Sequence, residues 1–129
     1  MKRFALVLGV AACVSVLALW SSPRVQADGP TCGEKGLPDC PLQGWMAKNM
    51  DDPLDRGDLK ALAVAFEKSA ALVPDPAWND GPTGWTKIAQ TGAELAKKGD
   101  SVGTKGQCKA CHKAWRSKYK QSYRMRTVP

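Results

Sequence analysis

Apolar side chains recur at intervals of three and four along most of the chain, grouped in separate stretches. Leu42, Trp45, Met46 and Met50 make the first. Pro41 suits its opening turn, where a missing N–H costs nothing, and Asp51-Asp52-Pro53 is expected to stop it. Asp58 is placed to cap a second helix carrying Leu59, Leu62, Ala63, Phe66, Ala70 and Val73 on one face, ended by Pro74 and Pro76. Residues 74–84 hold Pro74, Pro76, Gly81 and Pro82 and read as a loop with Trp78 tucked beneath it. A third helix presents Trp85, Ile88, Ala89, Gly92, Leu95 and Ala96, and Gly99 is its natural stop. Asp100 or Ser101 can cap a fourth, although Gly103 and Gly106 weaken its first turns and set its ordered start near Lys105. No stretch alternates as a strand would, and there is no repeat or low-complexity tract. The expectation is all-α: four short amphipathic helices around one core.

The beginning of the chain has a different pattern. Met1-Lys2-Arg3 is basic, Phe4 to Trp20 is an almost unbroken apolar run, and Val25-Gln26-Ala27 offers small residues for cleavage. This is the form of an export signal over residues 1–27, with one domain over 28–129. A lipid-modified Cys13 after Val10-Ala11-Ala12 is the weaker alternative, since the apolar run continues past it. An uncleaved anchor is weaker too, because 17 residues is the short limit for spanning. The expected location is the bacterial periplasm, with no stable membrane insertion once the signal is gone.

Within the fourth helix lies Cys108-Lys109-Ala110-Cys111-His112, the C-x-x-C-H signature of covalent haem c attachment. On a helix the two cysteines stand one turn apart with the imidazole between them in projection. Two thiols so placed can form thioethers with the two vinyl groups of one haem, and His112 can coordinate the iron. A thioredoxin-like dithiol would need a β-α-β setting that the pattern lacks. A zinc site from Cys32, Cys40, Cys108 and Cys111 would leave His112 unexplained. Cys32 and Cys40 more simply form a disulfide in an oxidising compartment, stapling the N-terminal segment.

Charge sharpens the picture. Residues 28–100 carry eight lysines and arginines against twelve acids, whereas residues 101–129 carry eight basic residues and no acid. Lys109, Lys113, Arg116, Lys120 and Arg124 fall in one stripe beside the cysteine face. Such a patch suits an acidic redox protein as partner, or simply a solvated face that offsets haem propionates. Nucleic acid is not expected to bind an exported haem protein.

A C-x-x-C-H only 17 residues from the end, on the last helix, resembles the class II c-type cytochromes, the cytochromes c′ and their low-spin relatives. Cys108 to Lys118 is similar to that family's C-x-x-C-H-x-x-aromatic-Arg-x-Lys run. The resemblance implies a four-helix bundle around one covalent haem, with Cys108 and Cys111 as attachment points, His112 as axial ligand and Arg116 near a propionate. The chain is shorter than typical members, its first helix is reduced, and the Cys32/Cys40 pair is outside the usual pattern. It looks like a divergent, truncated branch.

The sixth iron position decides between wiring and ligand binding. His112 is the only histidine, so a second imidazole cannot come from this chain. Met125 follows it by 13 residues, about 20 Å along a helix, with no return path to the far face. Met46 lies inside the apolar stripe of the first helix and is the preferred ligand; Met50, at the edge of the stripe, is second. A methionine on an apolar face is also ordinary core filler. The leading expectation is an electron carrier with His/Met ligation. The alternatives are a five-coordinate protein binding nitric oxide or carbon monoxide, and a haem subunit of a larger redox complex. No base, nucleophile or second cofactor points to catalysis by the chain itself.

Overall fold

The computed structural model describes residues 32–129; the signal expected over residues 1–27, with its Cys13 alternative, lies outside them. Among the described residues every regular element is helical and there is no strand. No helix there is long and apolar enough to cross a membrane.

Helix α1 (Pro41–Met46) opens with Pro41, as its missing N–H allows. The chain does not stop at Asp51-Asp52-Pro53. It passes through a π-helical stretch, Ala47–Asp51, into α2 (Asp52–Asp55). The Asp52 N–H reaches back five residues to the Ala47 carbonyl. This wider turn lets Pro53 enter the first turn of α2, where it needs no donor. Gly57, at φ +68°, ends the segment, and the Asp58 N–H closes on the Pro53 carbonyl at 2.8 Å.

Asp58 caps α3 (Leu59–Ala70) by accepting from the Ala61 N–H at 2.9 Å. The helix ends three residues before the expected Val73. Leu72 and Val73 leave it to pack, half-buried, against a group of tryptophans. The loop contains one 3-10 turn, Pro76–Asn79, opened by Asp75 accepting from the Ala77 N–H, and Trp78 is buried within it. Helix α4 (Trp85–Lys97) stops at Gly99, φ +79°. Helix α5 (Ser101–Ser122) begins four residues earlier than Gly103 and Gly106 suggested. The Asp100 carboxylate accepts from the Gly103 N–H at 2.8 Å and lies where a Gly103 side chain would stand. Here the glycine helps the cap rather than weakening the turn.

Two apolar clusters hold these elements. Small residues bring α3 and α4 close: Ala63, Ala65, Ala89, Ala93 and Ala96 surround Leu62, Phe66 and Met50. Gly92 faces the Phe66 ring so closely that a methyl group would lie 2.5 Å from it. The second cluster joins Leu42, Trp78, Trp85 and Trp115. Trp78 and Trp115 stack at 4.9 Å, 10° from parallel. Buried indole N–H groups need acceptors, and they have them: Trp85 donates to the Ser69 carbonyl at 2.7 Å and Trp115 to that of Thr83 at 3.1 Å. Tyr123 meets Trp78 edge-on and donates to Asp75 Oδ2 at 2.5 Å.

Gly92→Ala should destabilise the fold by about 1–3 kcal/mol through overpacking against Phe66. Gly106→Ala, whose added methyl meets nothing within 4 Å, should stabilise it by about 0.5–1 kcal/mol. Denaturant unfolding of the two variants checks the contrast, and a loss in both would contradict the packing described.

The Tyr123–Asp75 bond makes a second prediction. Tyr123's hydroxyl, and then the Ala77 N–H, hold the Asp75 carboxyl below its ordinary 3.8, so this stability is present above that value and lost as pH falls through the folded one. The same bond, chiefly, raises Tyr123 above 10.0, so its share is present below that value and lost as pH rises through the folded one. Tyr123→Phe should flatten the melting temperature against pH at both ends.

Candidate functional site

Helix α5 carries Cys108, Cys111 and His112 onto one wall of a cleft of about 810 Å³, within the 300–1,000 Å³ typical of cofactor sites. Leu42, Phe66, Trp85, Ile88 and Ala89 supply its apolar surface. Met46 and Met50, from the α1 and π-helical stretch, line it as well. Met46 is half-buried, whereas Met50 is buried among Leu62 and Phe66. A π turn inside an α-helix commonly marks a site where function overrides regular packing.

Both thiols are half-buried. Burial raises the Cys108 thiol, and burial followed by the neighbouring Cys108 pushes Cys111 up to about 11. Catalytic dithiols have lowered values, so the pair lacks the electrostatics of a thioredoxin-like centre. His112 is lowered by desolvation first and by the Arg116 guanidinium second, with Asp51 opposing. Both effects disfavour the imidazolium and favour the form with a ring lone pair available to a metal.

Arg116, Lys109, Lys120 and Arg124 line the cleft, joined by Lys105; Lys113, grouped with them on the helical projection, is not among the lining residues. Asp39, Asp51 and Asp55 are the acids of the lining. Positive charge therefore dominates, which suits an anionic ligand edge.

Cys32 and Cys40 form a disulfide, 4.9 Å between Cα atoms, and both are buried. Their use here removes the zinc alternative, which needed all four thiols. Among the described residues no three His, Cys, Asp or Glu side chains converge as a metal cluster. The loop closed by the disulfide borders the cleft, which Gly33 and Cys40 help to line. Arg124 donates to the Cys32 carbonyl at 3.3 Å and pairs with Glu34 at 3.2 Å, tying this loop to the end of α5. Met125 Sδ lies 3.4 Å from Cys32 Sγ, against the disulfide rather than on the cleft lining.

The cleft thus brings together Cys108, Cys111, His112, Arg116, Met46, Met50 and Cys40. Phe66, Ile88, Lys105 and Asp51 also line it without having been singled out in sequence as site residues. Phe66 and Ile88 sit on regular apolar stripes, so nothing in the pattern separates a cleft wall from a core. Comparison with protein-family models, curated proteins and solved structures gave no match.

Replacing Cys32 and Cys40 together by serine should cost about 2–3 kcal/mol, the value for so short a loop. Unfolding with and without reductant checks it: the variant should lose the reductant sensitivity of the parent.

Proposed function

We propose that the chain is a monohaem c-type cytochrome of the class II kind, a four-helix bundle that carries electrons in the periplasm without transforming a substrate. One observation carries this reading. The C-x-x-C-H residues and both candidate methionines, from opposite ends of the described chain, line one largely apolar cleft of cofactor size.

Within it each residue has a distinct task. Cys108 and Cys111, one helical turn apart, would hold the porphyrin through thioether bonds to its two vinyl groups. His112, beside Cys111, would hold the iron through a ring nitrogen. Leu42, Phe66, Trp85 and Ile88 keep water from the ring. Arg116, with Lys105 and Lys109, balances the propionates. Met46, half-buried on the cleft wall, supplies the sixth ligand, with Met50 as second choice. When bound, the haem supplies a one-electron ferric/ferrous couple, and Met/His ligation raises its potential. The exposed cations beside the cleft draw an acidic redox protein, in a salt-dependent encounter.

Expression with a haem-attachment system and intact-mass analysis should give a coloured product one haem heavier, with no thiol free to alkylation. Its ferric form should be low-spin, and Met46→Ala should turn it high-spin while Met50→Ala does not. A high-spin parent that binds carbon monoxide readily supports the gas-binding reading instead. A colourless product with Cys108 and Cys111 alkylated overturns both.

A further inference from the structure

The tryptophan cluster does more than fill space between helices. Trp85 is both a cluster member and part of the cleft lining, and Cys111 packs against the same cluster. From Trp85 the ring contacts run outward without a gap. Trp78 lies 6.2 Å from Trp85 between centroids, and Tyr123 lies 5.2 Å from Trp78, edge to face. Trp115 stacks on Trp78 at 4.9 Å and extends the same π system toward α5. The run ends at a phenol whose hydroxyl donates to a carboxylate oxygen, Asp75 Oδ2, at 2.5 Å. Tryptophan and tyrosine are the side chains most easily oxidised by one electron, and a phenol gives up its electron readily only when its proton has somewhere to go.

We propose that Trp85, Trp78 and Tyr123 form a one-electron conduit from the cleft wall to the protein's periphery, with Asp75 as the proton acceptor at its outer end. A one-electron radical oxidant at the cleft takes an electron from Trp85 and is itself reduced. Trp78 refills Trp85, and Tyr123 refills Trp78. As Tyr123 gives its electron, its O–H bond breaks and the proton crosses to Asp75 Oδ2, forming a carboxylic acid. The balance is one oxidant reduced by one electron, one neutral phenoxyl radical on Tyr123 and one protonated Asp75; neither tryptophan is consumed. The conduit moves an oxidising equivalent away from the sulfurs of Cys108, Cys111, Met46 and Met50, which share the cleft.

Two further features favour this outlet. The bond to Tyr123 keeps Asp75 ionised at neutral pH while Tyr123 retains its proton, the starting state the transfer needs. Tyr119 is the internal control, since its hydroxyl donates to the Arg124 peptide carbonyl at 3.0 Å, and a carbonyl does not take the proton.

The inference deepens the proposed redox role of the cleft and rests on it for the source of the oxidant, but its test requires no prosthetic group. Pulse radiolysis of the whole protein in azide solution generates azidyl radicals, which oxidise tryptophan and become azide. The tryptophan radical should decay by first-order kinetics, independent of protein concentration, as a phenoxyl signal grows. Tyr123→Phe should remove that growth and Tyr119→Phe should leave it. Asp75→Asn, which keeps the ring contacts, should slow it by about tenfold or more, the scale of a lost charge-assisted hydrogen bond. Growth that persists in Tyr123→Phe, or an unchanged rate in Asp75→Asn, overturns the proposal. Transfer in a chain found to carry no haem retires the cytochrome reading and leaves the conduit standing.

Discussion

Everything at the cleft depends on how α5 is rotated about its own axis, and that rotation is set by Trp115. Its indole stacks on Trp78 and its N–H reaches the Thr83 carbonyl, so the ring is fixed in both position and tilt. Cys111 and Cys108 precede Trp115 by four and seven residues, which places them on the same side of the helix. Anchoring one indole therefore aims two sulfurs. Thr104 and Trp115 are the buried residues of this helix, and Cys108, Cys111 and Ala114 pack beside them, half-buried, against the two clusters.

Much of this arrangement was legible in the sequence, because it follows local rules. The stop at Gly99, the cap at Asp58 and the buried Trp78 are decided within a few residues of where they occur. The failures have a common cause. Asp51-Asp52-Pro53 reads as a terminator until a π turn widens the backbone around it, and such a turn leaves no signature in the hydrophobic period. Gly103 reads as a weak point until the Asp100 carboxylate is seen occupying the space that its missing side chain leaves. Helix α3 ends before Val73 because Leu72 and Val73 pack on tryptophans from elsewhere in the chain, a tertiary event. For the candidate site, spacing singled out the cysteines and histidine, which the fold places together on the cleft lining. Phe66 and Ile88 did not, since a residue lining a cleft and one lining a core follow the same stripe.

The π turn also bears on the two methionines. An unbroken α-helix would hold Met46 and Met50 in a fixed relation one turn apart. The wider turn begins immediately after Met46 and includes Met50, so the backbone between them is the least regular part of that segment. Met50 is committed to packing with Leu62 and Phe66, while Met46 keeps more of its surface free. That difference in commitment is the physical ground for preferring Met46 as a ligand.

The disulfide has a consequence for how the chain matures. The four cysteines of the described residues could form six different single disulfides, and only Cys32–Cys40 leaves both Cys108 and Cys111 unused. Standing eight positions apart, against at least 68 from either distant cysteine, the neighbours meet far more often in an unfolded chain. Oxidation is thereby steered by contour length before any helix has formed. A longer spacer between Cys32 and Cys40 would weaken that kinetic sorting even where the finished fold tolerated it, and misbridged species would accumulate in which Cys108 or Cys111 was already spent.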